Sequence, residues 1–430
     1  MRRLATALVP VAIGAAVPFA APRQSCADRQ VVAFVGADVL SMSDSILRRG
    51  QDVVVRGARI ESVGGGVPDD ACRIDARGKV LLPGLADLHV HTSAREMPLF
   101  LANGVTLVRE MNGSARHVAL RDSVAAGRLL GPRLLVASTL LTGQQWPVRY
   151  RLIQSVDDAR AAAAEAKTIG YDFLKIYDGL SGDQYDALVE SGRALQLPLD
   201  GHIPRAVGLP RVLESGQALQ HMDKIAFALA GHSPDTTKLD EARRLFQNRR
   251  TWVTPTLASL RALDRSGTVE YESSFQRSEM DYVDSASLGW WRSLARSGSR
   301  PAVSSPFYRF QTALAAVLKA SGARFLLGTD AANPLMVAGF SVHREMQVLV
   351  DDAGFSRYEV LLMATRNPAE FLGEARNGVV QAGARADLIL VDGDPLRDLA
   401  AIRRPVGVMI GGRWLDRLRL DSLLSSSRLR

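Results

Sequence analysis

Residues 83–373 alternate short apolar runs with helical patterns. The runs fall at 85–91, 105–109, 134–138, 173–177, 197–202, 218–221, 252–256 and 325–330. Helix signals separate most of them. Ser155-Val156-Asp157-Asp158 is a capping box ahead of an alanine-rich stretch that stops at Gly170, and Ser356-Arg357-Tyr358-Glu359 is another. Eight strands with intervening helices over this length predict an α/β fold, a (β/α)8 TIM barrel spanning 83–374. Periodicity alone leaves an open doubly wound sheet as the alternative.

The two ends have a different texture. Runs at 31–35, 53–55 and 59–63, and again at 386–391 and 406–410, read as short strands closed by glycine turns. Neither end holds enough strands to bury a core alone. The expectation is one small β-sandwich domain built from 28–82 plus 375–418, followed by a C-terminal tail, 419–430. Residues 258–306 break the barrel alternation with Tyr271, Tyr282, Trp290 and Trp291 among many serines and charges. They read as an insertion, either a lid over the barrel mouth or a surface decoration.

Composition narrows the class. The chain has 430 residues, 47% hydrophobic and 23% charged, which excludes a disordered or collagen-like chain and a polytopic membrane protein. A formal charge of +8 comes from scattered residues, with no basic block interleaved with aromatics, so no nucleic-acid partner is expected. Arg2 and Arg3 precede an apolar stretch, 4–21, interrupted by Pro10 and Pro18, and Ser25-Cys26-Ala27 offers a small-x-small cleavage site. Residues 1–27 therefore read as an export signal, with a membrane anchor or a lipid-modified Cys26 as alternatives. The expectation is an exported protein, periplasmic or at the cell surface, with no stable membrane span once the leader is gone. Cleavage after Ala27 leaves Cys72 alone; an earlier cut allows a Cys26–Cys72 disulfide.

The ends of the apolar runs carry the chemistry. The first ends in His89-Val90-His91, two imidazoles at i and i+2, hence on one face of a strand. The fourth holds Lys175, the fifth ends at His202, the sixth at His221 and the eighth at Asp330. In a (β/α)8 barrel such strand ends converge on one face. Each residue alone has a plain structural reading: a satisfied histidine, a snorkelling lysine, a turn-capping aspartate. As an ordered set, nitrogen and oxygen donors without thiolate suit zinc or a related divalent metal.

Pro83-Gly84-Leu85-Ala86-Asp87-Leu88-His89-Val90-His91 resembles the opening motif of the amidohydrolase superfamily. Gly131-Pro132-Arg133, Leu327-Gly328-Thr329-Asp330-Ala331 and Ala364-Thr365-Arg366-Asn367-Pro368-Ala369 are similar to its imidazolonepropionase-related branch, which includes Xaa-Pro dipeptidases. The resemblance implies two divalent metal ions, zinc first among them. His89, His91 and Asp330 would hold one, His202 and His221 the other, and an N-carboxylated Lys175 would bridge them. It implies hydrolysis by a metal-bridging hydroxide, with Lys175 and Asp330 as the catalytic pair; Asp330 would move the proton to the leaving nitrogen. The expected substrate is a small carboxylate-bearing amide, a dipeptide or N-acyl amino acid. A lactone, ester or organophosphate hydrolase at the same metals is the alternative, and a metal-free scaffold of the same fold is another. Deamination is disfavoured: no acid follows His202 until Glu214. The Gly-Gly-His common in dipeptidase-type relatives is replaced by Leu141-Thr142-Gly143-Gln144-Gln145-Trp146. Substrate contacts would then fall to Tyr177, which shares a face with Lys175, and to Arg109 and Arg205, each of which reads equally as an ion-pair partner. His117, His232 and His343 read as surface or supporting residues. A homo-oligomer is compatible with the sequence.

Overall fold

The computed structural model describes residues 26–231, 233–296 and 305–429. The leader up to residue 25, His232 and part of the 258–306 insertion lie outside the described residues. Eight parallel strands organise the middle of the chain: β1 (Leu85–Val90), β2 (Val105–Glu110), β3 (Arg133–Val136), β4 (Leu174–Ile176), β5 (Leu199–Gly201), β6 (Ala218–Gln220), β7 (Trp252–Thr254) and β8 (Arg324–Phe325). Strands β1 to β3 pair in sequence. Strands β4 to β8 pair in sequence within a seven-stranded parallel sheet that also takes in Leu140–Thr142 and Tyr150–Leu152. Parallel bridges Ala137↔Phe173 and Val90↔Ala331 join the two sheets at both edges. The Leu88 amide donates to the Leu327 carbonyl at 2.8 Å and the Asp330 amide to the His89 carbonyl at 2.8 Å, which brings the segment after β8 against β1. The arrangement is consistent with a TIM-type barrel. All six residues of β1 are buried, as a strand covered on both faces requires.

Close approach of β8 to β1 depends on Gly328. A side-chain carbon there would lie 2.8 Å from the His89 Cβ and collide with the Thr254 methyl, so the site beneath His89 admits only hydrogen.

The ends of the chain do meet. One eight-stranded sheet runs Arg413–Asp416, Gly407–Ile410, Leu388–Asp392, Lys79–Pro83, Val31–Leu40, Leu47–Arg56, Arg59–Val63, with Cys72–Asp75 also on Val31–Leu40. The two termini join where Lys79–Pro83 pairs antiparallel with Leu388–Asp392. Strands from both ends thus lie on one continuous hydrogen-bonded path. Cys26 and Cys72 are disulfide-bonded, with Cα atoms 5.7 Å apart, the pairing expected of a chain that keeps Cys26. The tail is the Arg417–Ser427 helix, which buries Leu420. Among the described residues, no helix is long and apolar enough to cross a membrane.

The 258–306 insertion is helical where it is described. It docks on the Phe340–Ala353 helix: the Tyr282 ring stacks on Phe340 at 5.3 Å and Glu279 pairs with Arg344 at 2.6 Å.

Candidate metal centre

The strand ends bring His89, His91, Lys175, His202, His221 and Asp330 to one place. His89 Nε2 and His91 Nε2 each lie 3.4 Å from Asp330 Oδ1, and His221 Nδ1 lies 3.8 Å from Asp330 Oδ2. The His89 and His221 rings are 4.4 Å apart, and the His202 and His221 rings 5.2 Å apart. The tightest trio is His89, His221 and Asp330, whose ligand atoms all lie within 4.8 Å of one another. That trio crosses the two ligand sets expected from sequence.

Each imidazole has a partner or a neighbour behind it. His89 Nδ1 lies 2.6 Å from Gln220 Oε1, while the Gln220 amide nitrogen donates to Asp200 Oδ1 at 2.6 Å and Thr254 Oγ1 at 3.1 Å. With the amide NH2 spent on the Asp200 carboxylate, the Gln220 oxygen faces His89, so the proton of the neutral ring sits on Nδ1 and the Nε2 lone pair points at Asp330. His221 Nδ1 is 2.8 Å from Thr256 Oγ1. The Glu110 carboxylate stands 3.6 Å from His91 Nδ1 and accepts the Thr92 and Asn112 amides. Asp178 stands 3.4 Å from His202 Nδ1 without making a hydrogen bond. Such outer partners orient metal-ligating imidazoles.

Burial holds His89, His202 and His221 well below the ordinary histidine range, so each offers a lone pair at neutral pH. Burial would lower His91 too, but the Asp330 and Glu110 carboxylates outweigh it and push its pKa up to about 9. Burial works against ionisation of Asp330, yet His221, His91 and Lys175 hold its pKa below the usual value, so it stays a carboxylate. Lys175 is 1% exposed, its Nζ has no hydrogen-bond partner, and burial brings its pKa down to about 8. A buried amine with no hydrogen-bond partner, among imidazoles and carboxylates, is costly as it stands. The donor set fits divalent metals, which would satisfy these atoms together.

Backbone geometry helps aim the ligands. His221 has φ 66 and Asp330 φ 60, left-handed values that non-glycine residues rarely adopt. Thr256, the partner of His221, has φ 52. Strain of this kind is held only where surrounding structure over-determines it. Asp330 is also bonded by the Asn333 amide.

The substrate candidates separate. Tyr177 stacks against His202 with ring centres 4.1 Å apart, and Trp146 meets Tyr177 edge-on at 5.1 Å. Burial raises the Tyr177 pKa, so its hydroxyl remains a donor. Arg205 is exposed, three residues beyond His202. Arg109 is placed as the ion-pair alternative describes: it is 1% exposed, donates to the Leu88 carbonyl, lies 2.6 Å from Asp200 Oδ2 and sits over the Phe173 ring. His117 bonds the Thr92 carbonyl through its ring.

Sequence reading left Gln220, Asp200, Thr256, Asp178 and Trp146 without a role. Two had a signal. Asp200 lies two residues before His202 and Asp178 lies next to Tyr177, but polar residues at strand ends are too common to single out.

Comparison with known proteins gives a consistent picture. A bottromycin amidohydrolase structure is 25% identical, covering 94% of this chain and 91% of that one, with a TM-score of 0.76. A structure assigned provisionally as a prolidase, from Bifidobacterium longum, is 22% identical, with coverage of 93% and 99% and a TM-score of 0.70. A Xaa-Pro dipeptidase with methionine bound in its active site is 18% identical, with coverage of 90% and 100% and a TM-score of 0.68. The last two share the fold. Comparison with curated protein sequences returns no match. The model of the amidohydrolase family matches residues 80–415, which contain all six convergent side chains, and this chain therefore belongs to that family and is a hydrolase acting on C–N bonds.

Proposed function

We propose that this protein is a metal-dependent hydrolase that cleaves an amide bond in a small carboxylate-bearing molecule, a dipeptide or an N-acyl amino acid. The observation that carries the reading is the Lys175 amine, buried without a hydrogen-bond partner beside His89, His202, His221 and the Asp330 carboxylate. His89, His91 and Asp330 would hold one divalent ion and His202 and His221 a second, zinc being the first choice for these donors. When bound, such metals supply Lewis acidity and lower the pKa of a water molecule held at the site.

The residues of the chain do the rest. Lowering of the Lys175 pKa favours the neutral amine, which adds carbon dioxide to give a carbamate and release one proton. The carbamate would offer two oxygens in place of a nitrogen lone pair. Asp330, ionised and pinned by Asn333, accepts the proton of the attacking water on a carboxylate oxygen and returns it to the departing nitrogen. The Tyr177 hydroxyl, whose ring lies against His202, would donate to a substrate oxygen. Trp146 and Tyr177 would provide an aromatic wall, and Arg205 at the rim would attract the substrate carboxylate. Insertion 258–306 is read as a cover that limits the substrate to small molecules.

Export is part of the same proposal. The Cys26–Cys72 disulfide supports an oxidising compartment, periplasmic or at the cell surface, and a mature chain cut before Cys26.

The test is a screen of dipeptides, N-acyl amino acids, lactones and organophosphates against zinc-loaded protein. Turnover of the amide classes is expected. Turnover confined to lactones or organophosphates would overturn the substrate reading.

A further inference from the structure

Apart from the strand ends, a second concentration of charge lies where the Phe340–Ala353 helix, the 258–306 insertion and the sheet from the chain ends come together. A cavity of about 520 Å3 there is lined by Arg261, Arg277, Arg344, Arg403, His343 and Glu279, with Phe340 and Val348 as apolar wall. Two of its arginines are compensated. Arg344 pairs with Glu279 at 2.6 Å, and Arg261 lies 3.4 Å from Asp352. Among the described residues no carboxylate lies within ion-pair distance of Arg277 or Arg403, and the Nη1 atom of Arg277 is buried with no hydrogen-bond partner. His343 is 7% exposed, and neither of its ring nitrogens makes a hydrogen bond, although the Asn103 backbone lies alongside the ring.

These groups leave donors without acceptors. Burying guanidinium and imidazole donors with nothing to receive them costs free energy, and positive charges gathered without anions repel one another. The strain is felt by the groups themselves. Burial, then Arg277 and Arg403, bring the Arg344 pKa down to about 10, and burial, then Arg403, bring His343 down to about 4.

We propose that this cavity binds a phosphate group, free or as the monoester of a small organic molecule. Two uncompensated guanidiniums match a dianion better than a single carboxylate, and a phosphate monoester carries close to two negative charges at neutral pH. The planar guanidinium fork suits bidentate contact with its oxygens. His343 would give one further contact. The volume exceeds that of the bare ion, and Phe340 and Val348 offer an apolar surface to an organic portion.

The site is separate from the metal centre. Glu345, next to Arg344 on the same helix, turns the other way and accepts the Leu257 and Ala258 amides at 2.9 and 2.6 Å. The cavity joins elements from the insertion, the barrel and Arg403 of the chain-end domain, so a bound phosphate would tie the three together.

The experiment measures thermal unfolding of the full protein in phosphate-free buffer at constant ionic strength. Inorganic phosphate and glycerol 3-phosphate are titrated separately to about 20 mM. The melting temperature should rise with at least one of them, and the tighter arm identifies the source, with the monoester expected to be tighter. The Arg277→Gln/Arg403→Gln variant, folded by circular dichroism, should bind at least about tenfold more weakly, each tenfold being about 1.4 kcal/mol. Arg403→Gln alone, at an exposed position, should weaken binding in the same direction. Asp330→Asn should keep the phosphate response, since it alters only the metal centre. No response to either compound, or a response lost in Asp330→Asn and kept in the arginine variants, would overturn the assignment.

Discussion

Alternation along a strand was enough to place His89 and His91 on one face, and it placed Lys175 and Tyr177 together. It was not enough for Gln220 and His221. Neighbours in a regular strand face opposite sides, yet both side chains reach the centre, because His221 leaves the strand in a left-handed conformation. No periodicity reports such a turn. The role of Gln220 follows from that break: it fixes the proton of His89 on Nδ1. Gln220→Leu removes the acceptor and leaves Asp200 short of a donor. We expect about 10- to 100-fold weaker metal affinity, read by competition with a chromogenic chelator. Lys175→Ala is the sharper change. It should stay folded, lose metal and fall by several orders of magnitude in rate, with partial rescue by acetate or propionate occupying the space left behind. Metal content and activity equal to those of the parent would rule out the carbamate.

Strands and helices were legible as elements; their buried pairings were not. Arg109 on β2 and Asp200 on β5 come from strands with no sequence proximity, and their 2.6 Å contact appears only when the sheet closes. A buried charge with one partner removed is strongly destabilising. Arg109→Leu should cost about 3–5 kcal/mol in urea unfolding, because the buried Asp200 carboxyl loses its cationic partner. A loss under about 1 kcal/mol would show the pair to be dispensable. On the Phe340–Ala353 helix, His343 predicts a pH effect. The unfolded chain binds a proton at this ring below its ordinary value of 6.5, whereas the folded protein does so only near pH 4. More protons are bound on unfolding between those values, so stability falls as pH drops from 6.5 toward 4. The contribution is at most about 3 kcal/mol. His343→Asn should flatten that part of the stability profile in phosphate-free buffer, and an unchanged slope would argue against it.

At the scale of the molecule, the meeting of the two chain ends was readable because neither end could bury a core alone, and Lys79–Pro83 against Leu388–Asp392 is the seam. How those strands share one hydrogen-bonded sheet was not readable, since register is a long-range property. The convergence of six ligand-type side chains was readable from their positions at strand ends. Their grouping was not: the close trio of His89, His221 and Asp330 reflects ring orientations set by Gln220 and Thr256.

The central claim is that these side chains hold catalytic metal. It is tested most directly by the metal content of the purified full-length protein, determined by plasma emission spectrometry, with turnover followed before and after chelation. The account predicts two divalent ions per chain, loss of activity when they are stripped, and recovery when zinc is restored. Full activity in protein stripped of metal would contradict it.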